Sequence, residues 1–461
     1  MPISRMRILL PVVLVMATAC GDNLGALDVD ARDIDAGELD APGIDAPIPG
    51  PVHVTVLSTM RDGAIDTTAI VLFADRDGVL IESKVVDGNG EATATMAPGG
   101  EVTVLHGGGN GPTFRATVIR GVEPGDDLVV GRRLAPSAPN GPIQFRRVQW
   151  PLIAGQTASY RVIAGCGSGE GIGDFGIAGM TMLDRCHGAT LPIMVTAHIS
   201  DDDVRFLFVP DAPFGTPGND LISLSGTWQP MTRAGVDVTG IPPSTTSYYF
   251  GRSLLFDGYG NGTGAGVFGG GHPPSLSERF WVPAGVGVLG HAFATYRSDD
   301  GANTSERVLV PPTTATVAID FAAAPLPRVM TPVSVSPTEL TWTEQPGTGA
   351  DLRVTQLFGT IAAPNGGNYF LRFEIVDDGT ASTVALPHLP AAYAAFDPRL
   401  VDRSDLSGTP TYVSVDTIDG YDAARPGNAA YARDPVEVLT AAGKPQRLRC
   451  SFNGGGLMPE L

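Results

Sequence analysis

Short apolar runs separated by turn residues dominate residues 51–134. In most of these runs apolar and polar side chains alternate, which is the period of a half-buried β-strand. The predicted strands are His53–Leu57, Ala69–Phe73, Val79–Val86, Glu91–Met96, Val102–Leu105 and Arg115–Ile119. Between them stand the hairpin and turn sequences Asp77-Gly78, Asp87-Gly88-Asn89-Gly90 and Pro98-Gly99-Gly100. The pattern predicts a β-sandwich of about seven strands.

Residues 140–325 show the same pattern at wider spacing. The predicted strands are Gln149-Trp150-Pro151, Ala158–Ile163, Ile193–His198, Arg205–Val209 and Thr314–Phe321. In the last of these, Val317, Ile319 and Phe321 fall on one side. The Gly-rich segment Asp257–Gly266 lacks the Gly-Lys-Ser/Thr sequence of a phosphate loop and the spaced aspartate of a calcium-binding repeat. We therefore interpret it as a mobile surface loop.

Residues 326–461 begin with a Pro-rich segment, after which apolar and polar residues alternate again. The predicted strands are Leu340–Thr343, which contains Trp342, Leu352–Leu357 and Tyr369–Ile375. Two short helices are also predicted, from Pro390 to Phe396 and from Pro435 to Ala442. The second has a capping box formed by Asp434 and Glu437, and it ends before a glycine.

The N-terminus has the layout of a bacterial export signal over residues 1–19. Arginines precede the apolar run Ile8–Met16, which is too short to span a bilayer. The sequence Ala17-Thr18-Ala19-Cys20 that follows resembles the lipobox of bacterial lipoproteins, which implies that Cys20 carries diacylglycerol and becomes the first mature residue. The alternative is an ordinary secreted protein whose signal ends near a cysteine. Residues 20–50 are rich in Asp, Ala and Pro, and this composition predicts an extended, disordered acidic linker.

The order of strands and turns in residues 51–134 resembles the carboxypeptidase-regulatory or transthyretin-like β-sandwich, a spacer module without a catalytic motif. Residues 326–461, with Trp342 in an early strand, resemble a fibronectin-like or immunoglobulin-like sandwich, in which this tryptophan is part of the core. Residues 140–325 form a third β-rich domain that contains the Gly-rich segment. These resemblances imply an all-β protein, with two or three tandem immunoglobulin-like β-sandwich domains after the signal peptide and the linker.

Composition supports strands and excludes one class of partner. The chain has 461 residues, of which 59 are Gly and 39 are Pro, and lysine occurs only at Lys84 and Lys444. Helix-forming lysine and glutamate are scarce, whereas turn residues are abundant. The net charge of −19 argues against a nucleic-acid partner, since binding to phosphates needs a basic face.

The four cysteines predict one disulfide. With Cys20 assigned to lipid, Cys166 and Cys186 are the expected pair in an exported chain, where they would close a Gly-rich loop. Cys450 is then odd, and the sequence leaves open whether it is a buried free thiol or pairs with either of the others. A metal site at Cys166, Cys186 and His187 is less favoured, because these residues lack the close paired spacing of zinc ligands.

Candidate chemistry is sparse. The chain contains no His-Glu-x-x-His, Gly-x-Ser-x-Gly or Cys-x-x-Cys motif, and its seven histidines are scattered. We therefore predict no catalytic residue and no cofactor. Weak calcium candidates lie at acidic turns and are Asp75, Asp77, Asp201 and Asp203, although such residues usually serve the turn itself. The aromatic residues Tyr248, Tyr249, Phe250 and Tyr259 are candidates for stacking on sugars, and a core strand explains the first three equally well.

Together these features predict a lipid-anchored cell-envelope protein that acts as a structural, adhesive or ligand-binding module. The expected partners are the membrane, through the lipid, and a carbohydrate or another envelope protein. Because Gly21 and not aspartate follows Cys20, the usual sorting rule for lipoproteins implies the outer membrane. The alternative function is an envelope hydrolase whose active site is assembled from residues distant in sequence.

Overall fold

We analysed a computed structural model of the full chain. It describes residues 48–57, 65–106, 113–131, 144–164, 167–168, 171–172, 176–182, 190–213, 221–255, 264–271, 273–283, 286, 289–311, 314–330, 333–348, 350–362, 368–400, 406–425 and 447–453. All of these residues belong to one compact unit, Pro47–Leu461. Within them, no helix has the length and apolar character needed to cross a membrane.

The N-terminal strands form two packed sheets. Their bounds are β1 Gly50–Val56, β2 Ile70–Ala74, β3 Leu80–Val85, β4 Glu91–Met96, β5 Gly100–His106, β6 Thr113–Val122 and β7 Asp127–Val130. One sheet has the order β4-β1-β7 and the other contains β3-β2-β5-β6. Alternate residues of β1, including Val52 and Val54, pack against Val71, Phe73 and Val104 of the facing sheet. The seven-strand sandwich predicted for this segment is therefore observed, with β7 as a strand that the sequence pattern did not reveal.

The next segment also packs two sheets around an apolar core. Its strands are β8 Gln144–Gln149, β9 Ser159–Ala164, β10 Gly167–Ser168, β11 Gly171–Ile172, β12 Ile177–Met182, β13 Thr190–Ser200, β14 Asp203–Pro213 and β15 Leu221–Ser223. One sheet has the order β10-β12-β8-β15, and the other contains β11-β9-β13-β14. Trp150 and Tyr160 are buried between them, with ring centroids 5.8 Å apart. The predicted strands at Ala158, Ile193 and Arg205 are confirmed; the first is shifted by one residue, and the other two are longer than predicted.

A third pair of layers follows. Its strands are β16 Gln229–Thr239, β17 Thr245–Leu255, β18 Gly264–Gly270, β19 Ser275–Pro283, β20 Leu289–Ser298, β21 Ala302–Val310 and β22 Thr316–Asp320. Strands β16, β19 and β22 pack against β17, β20 and β21, and Val317, Ile319 and Phe321 lie in the core as predicted. One interpretation is wrong: Gly264–Gly266, assigned above to a loop, belong to strand β18, because they pair with β17.

The C-terminal segment completes the fold. Its strands are β23 Arg328–Val329, β24 Ser334–Val335, β25 Glu339–Thr341, β26 Glu344–Gln345, β27 Leu352–Ala362, β28 Asn368–Asp377, β29 Thr383–Ala385, β30 Ser407–Val415 and β31 Arg447–Asn453. The helix predicted before Asp397 is a 3-10 helix, Ala391–Phe396, and a short α-helix, α1, spans Tyr421–Ala424. The helix predicted from Pro435 lies outside the described residues. Trp342 is buried in the core, as expected, and its indole Nε1 lies 3.3 Å from the Tyr412 hydroxyl.

A twelve-stranded sheet runs through three of these segments. Its order is β18-β17-β20-β21-β31-β30-β27-β28-β6-β5-β2-β3. Strands β28 and β6 pair in parallel, whereas the other neighbours in this sheet are antiparallel. The domain boundaries proposed near residues 134–140 and 325–326 remain predictions, and this sheet passes across both of them.

Both faces of the sheet are covered at β2, β5 and β6. Val71, Val104 and Ile119 face the β4-β1-β7 sheet. Leu72 and Leu105 face the opposite way, into the core that contains Trp342. Strands buried on two sides need apolar residues at successive positions. This requirement accounts for the continuous run Ile70-Val71-Leu72-Phe73, which does not alternate as a half-buried strand would.

Arginine–carboxylate pairs tie distant parts of the chain together. Arg425, at the end of α1, is buried and donates to both carboxylate oxygens of Asp126 at 2.7 and 2.9 Å, across 299 residues of sequence. In the middle of the twelve-stranded sheet, Glu306 is fully buried and forms ion pairs with Arg447 and Arg449 on the neighbouring strand. Bidentate arginine–carboxylate pairs fix orientation as well as distance.

We predict that Asp126→Asn lowers the free energy of unfolding by about 3 kcal/mol, because it leaves the buried Arg425 guanidinium without its main counter-charge. Chemical denaturation monitored by circular dichroism measures the change. Asp203→Asn is the matched control, since Asp203 forms a partly exposed pair with Arg205 and its substitution should cost much less stability. Equal effects of the two substitutions would show that the Arg425–Asp126 pair does not hold the fold together.

Candidate functional site

Several of the predicted site residues lie outside the described part of the chain. These are Cys20, Cys166, Cys186, His187 and Tyr259; His272, one of the scattered histidines, also lies outside it. Lipidation of Cys20 and the Cys166–Cys186 disulfide therefore stay predictions. Cys450 is a buried free thiol on β31, which is one of the two possibilities that the sequence left open. Burial raises its pKa to about 12, so the thiol is protonated and unreactive at neutral pH.

The calcium candidates at Asp75 and Asp77 lie in the turn between β2 and β3. Asp75 Oδ1 accepts hydrogen bonds from the main-chain N–H groups of Asp77, at 3.0 Å, and Val79, at 2.8 Å. Gly78 completes the turn with φ at 79°, a backbone conformation that favours glycine. The Asp75 carboxylate therefore shapes the turn.

The second pair of candidates, Asp201 and Asp203, lies at the hairpin between β13 and β14. Asp203 accepts two hydrogen bonds from Arg205, at 2.9 and 2.8 Å, and the Asp201 carbonyl oxygen accepts one from Arg233. Arg205 lowers the pKa of Asp203 through this hydrogen bond. Across the described residues, no three metal-ligating side chains come together as a candidate metal site.

The described histidines occupy separate places. His53 lies 3.0 Å from Asp127, whose hydrogen bond raises the pKa of the imidazole. His106 lies 3.1 Å from the Thr117 hydroxyl, and His198 is exposed on β13. His388 lies 2.8 Å from Asp397. The buried Asp397 carboxylate also accepts main-chain N–H groups on either side of the 3-10 helix, so its geometry is that of a loop organiser.

His291 is the histidine with the strongest electrostatic perturbation. It lies on β20 directly opposite Ser253 of β17, and the Ser253 hydroxyl oxygen is 2.6 Å from His291 Nδ1. Burial and, to a smaller extent, the positive charges of Arg307 and Arg252 together lower the pKa of His291 to about 3. A general base that activates serine must accept a proton near neutral pH. The protonated form of His291 is disfavoured, and the charges that act on the imidazole are positive, whereas a catalytic triad supplies a carboxylate. The Ser253–His291 pair is thus a neutral hydrogen bond.

An aromatic cluster adjoins this pair on the same face of the sheet. Tyr249 of β17 lies opposite Phe268 of β18, and Phe293 of β20 lies opposite Gly251. The Tyr249 and Phe293 ring centroids are 5.0 Å apart, and Phe293 is 5.4 Å from His291. Phe268 is 74% exposed, Tyr249 is partly buried and Phe293 is buried. We call Tyr249, Phe268 and Phe293 the aromatic platform.

Because side chains alternate between the two faces of a strand, Tyr248, Tyr249 and Phe250 do not share one role. Tyr248 and Phe250 point into the core between β17 and the β16-β19-β22 layer. Tyr249 points the other way, towards the platform. A core strand, the alternative weighed from the sequence, is therefore correct for Phe250, which is fully packed, while Tyr249 remains a candidate for ligand contact.

Glycines in β18 make room for these rings. A Cβ atom on Gly266 would lie 2.5 Å from the Tyr249 ring, and one on Gly269 would lie 2.2 Å from the Tyr248 hydroxyl. Neither glycine has a positive φ, so the requirement is space and not backbone conformation. The last residues of the Gly-rich segment, Gly264–Gly266, thus belong to a strand at one end of the described sheet that tyrosine side chains can cover, whereas residues 257–263 lie outside the described residues.

Phe268 and Phe293, the other two platform residues, were not predicted from the sequence. Phe268 lies just beyond the segment interpreted as a loop, and Phe293 lies in Gly290-His291-Ala292-Phe293, where only one large apolar residue occurs among small or polar ones. The signal that could have identified Phe268 is the pair Val267-Phe268 after a run of glycines, because two successive apolar residues lie on opposite faces of a strand.

Comparison with known proteins gives distant likenesses only. The sequence matches no protein family and no curated protein. Among solved structures, the Bacillus anthracis TIE protein matches with 10% identity over 59% of this chain and a TM-score of 0.15. The chain spans about half of that protein, 50% of its length.

Two further structures are similar at the same low level. A putative adhesin from Bacteroides ovatus has 8% identity over 42% of this chain and 97% of its own, with a TM-score of 0.16. The streptococcal ancillary pilin has 8% identity over 59% of this chain and 99% of its own, with a TM-score of 0.14. Scores this low carry no functional argument. The all-β fold class is established by the strands and sheets described above.

We predict that His291 makes the fold sensitive to acid. Its folded-state pKa of about 3 lies below the ordinary value of 6.5, so the unfolded chain binds the proton first and stability falls as the pH drops from about 6.5 to about 3. His291→Asn keeps a hydrogen-bonding group near Nδ1 but cannot titrate. Between pH 7 and pH 5, wild type should lose about 2 kcal/mol more than this variant in denaturant titrations. Parallel losses in both proteins would show that His291 is not the titrating group.

Proposed function

We propose that the protein is a lipid-anchored component of the bacterial outer membrane whose β-scaffold presents a ligand-binding surface, and that the aromatic platform is this surface. The observation that carries the binding role is Phe268, a large apolar ring that is 74% exposed beside the ring of Tyr249 on an edge strand. Phe268 and Tyr249 lie opposite each other on neighbouring strands of a rigid sheet, where together they offer a partner a larger apolar contact than a single exposed residue would.

The proposed ligand is an uncharged carbohydrate of the cell surface. Flat aromatic rings offer a face on which the apolar side of a sugar ring can stack, while nearby polar side chains hydrogen-bond its hydroxyl groups. A chain with a net charge of −19 repels polyanions, which makes acidic polymers poor ligands. The scaffold also suits a structural or adhesive role, because its sheets are tied across hundreds of residues by buried ion pairs.

Membrane anchoring is proposed from the N-terminal sequence. Diacylglycerol on Cys20, together with an N-acyl chain, buries enough hydrocarbon to hold a protein at a membrane, whereas one acyl chain binds only marginally. The acidic residues 20–50 would then space the folded unit from the lipid surface. The alternative of an envelope hydrolase gains no support from the Ser253–His291 pair, for the electrostatic reasons given above.

We predict that the wild-type chain incorporates labelled palmitate and sediments with outer-membrane fractions on a density gradient. Cys20→Ser should abolish the label, because the variant has no thiol to alkylate. Thr18→Ser, a conservative change in the same motif, should retain it. A wild-type chain without label would contradict lipid anchoring, and label in the inner-membrane fraction alone would contradict the outer-membrane assignment.

We predict that Phe268→Ala and Tyr249→Ala each weaken binding to an insoluble neutral polysaccharide, for example β-glucan or chitin, by about tenfold or more, since loss of one stacked ring costs on the order of 1–2 kcal/mol. A pull-down with residues 20–461 carrying Cys20→Ser measures the effect, and it contains the whole compact unit.

Phe145→Ala is the matched control, because Phe145 is a phenylalanine of similar exposure on β8, away from the platform. Binding that falls equally in all three variants would reflect general stickiness of aromatic residues. If the folded protein binds none of the tested neutral polysaccharides, the carbohydrate assignment is wrong. Lipid anchoring is tested separately by the palmitate experiment.

A further inference from the structure

Strand β3 forms one end of the twelve-stranded sheet within the described part of the chain. Strand β2 pairs with one of its edges, and the other edge points away from the sheet. Four large apolar side chains within seven residues of this edge are exposed: Val79 by 62%, Leu80 by 42%, Ile81 by 46% and Val85 by 66%. An edge strand with exposed apolar residues is a template for pairing with another strand.

The main-chain groups of β3 point outwards at defined residues. The Val86 N–H donates to the Ala69 carbonyl oxygen at 3.2 Å, so Val86 directs its main-chain groups towards β2. In an antiparallel ladder this direction alternates. Glu82 and Lys84 therefore also point towards β2, whereas Ser83 and Val85 present their N–H and C=O groups at the free edge. The pairing of β3 with β2 is irregular between Phe73 and Ala74. The regularly paired part of β3 therefore begins at Glu82, the partner of Phe73.

These directions limit how a second β3 strand could pair with the first. In an antiparallel pair of β3 strands, residues whose main-chain groups point to the free edge must lie opposite residues of the same kind in the other copy. The twofold axis must therefore lie where one residue faces the same residue of the other copy, and not midway between two positions. An axis at Glu82 would oppose two glutamates, and an axis at Lys84 would oppose two lysines. An axis at Ser83 places Glu82 of each copy opposite Lys84 of the other, and Ile81 opposite Val85.

The charges needed for this register are already in place. Lys84, one of two lysines in the chain, lies 3.1 Å from Glu82 of its own strand and donates to the Thr93 carbonyl oxygen of β4. Both charged side chains are thus held at the edge of the sandwich. Opposite charges facing each other across a strand pair stabilise it, and like charges destabilise it.

We propose that two copies of this chain pair antiparallel through β3 about a twofold axis at Ser83, which would join their twelve-stranded sheets. The interface is isologous, since each copy supplies the same strand. It lies at the opposite end of this sheet from β18, so the aromatic platform of each copy stays clear of it. The proposal does not depend on the function proposed for the platform.

Sedimentation velocity over a range of protein concentrations tests the proposal, with residues 20–461 carrying Cys20→Ser. We expect a monomer–dimer equilibrium. Glu82→Lys and Lys84→Glu should each weaken dimerisation by about tenfold or more, and the combined exchange Glu82→Lys/Lys84→Glu should restore it. Restoration would identify the facing pair, because the double exchange re-creates opposite charges only in the Ser83 register.

Ser83→Pro provides a second, independent test. It removes an N–H group that points to the free edge and leaves the ladder with β2 intact, so the variant should fold and remain monomeric. Asp202→Lys, a charge reversal at an exposed turn elsewhere, should dimerise like wild type. A wild-type monomer at all concentrations would overturn the proposal, as would a dimer that persists in Ser83→Pro and in both single charge reversals.

Discussion

The parallel pairing of β28 with β6 is the joint on which the fold depends. More than two hundred residues separate these strands, yet seven consecutive residues of each are in register, from Phe370 opposite Thr113 to Val376 opposite Ile119. From Phe373 to Asp377, β28 is buried on both faces. A shift of one residue would exchange Phe373, which is buried in the core with Trp342, for the fully buried Glu374. The hydrophobic pattern therefore specifies a single register.

Polar contacts reinforce the same joint from outside the sheet. The Tyr421 hydroxyl donates to the carbonyl oxygens of Arg120, at 2.7 Å, and Val376, at 3.2 Å, which are at the ends of the two paired strands. Arg425, one turn later, holds Asp126. Parallel strands lack the local hairpin that aligns antiparallel neighbours. Here the contacts of the short helix α1 hold β28 and β6 in alignment, because no hairpin connects the two strands.

The sequence predicted strands well where local chemistry decides them. Asp75-Arg76-Asp77-Gly78 contains both the carboxylate that caps the turn and the glycine that its backbone needs, so the hairpin between β2 and β3 could be recognised directly. Pairing over hundreds of residues has no such local signal. Neither Glu306 nor His291 lies in a strand predicted from the sequence, and only the layers and neighbours assembled around them reveal that both are buried.

The same constraint decides where this protein can meet other molecules. Across most of the twelve-stranded sheet, apolar cores occupy one face or both, which restricts where a partner can reach it. The two ends of the sheet differ from its middle and from each other. At β18, glycines let tyrosine rings lie over the strand and leave Phe268 exposed. At β3, exposed apolar side chains flank Glu82 and Lys84 along a free edge. A sheet that buries its faces to hold a long chain together leaves its edges for recognition, and the chemistry of each edge then determines what it can bind.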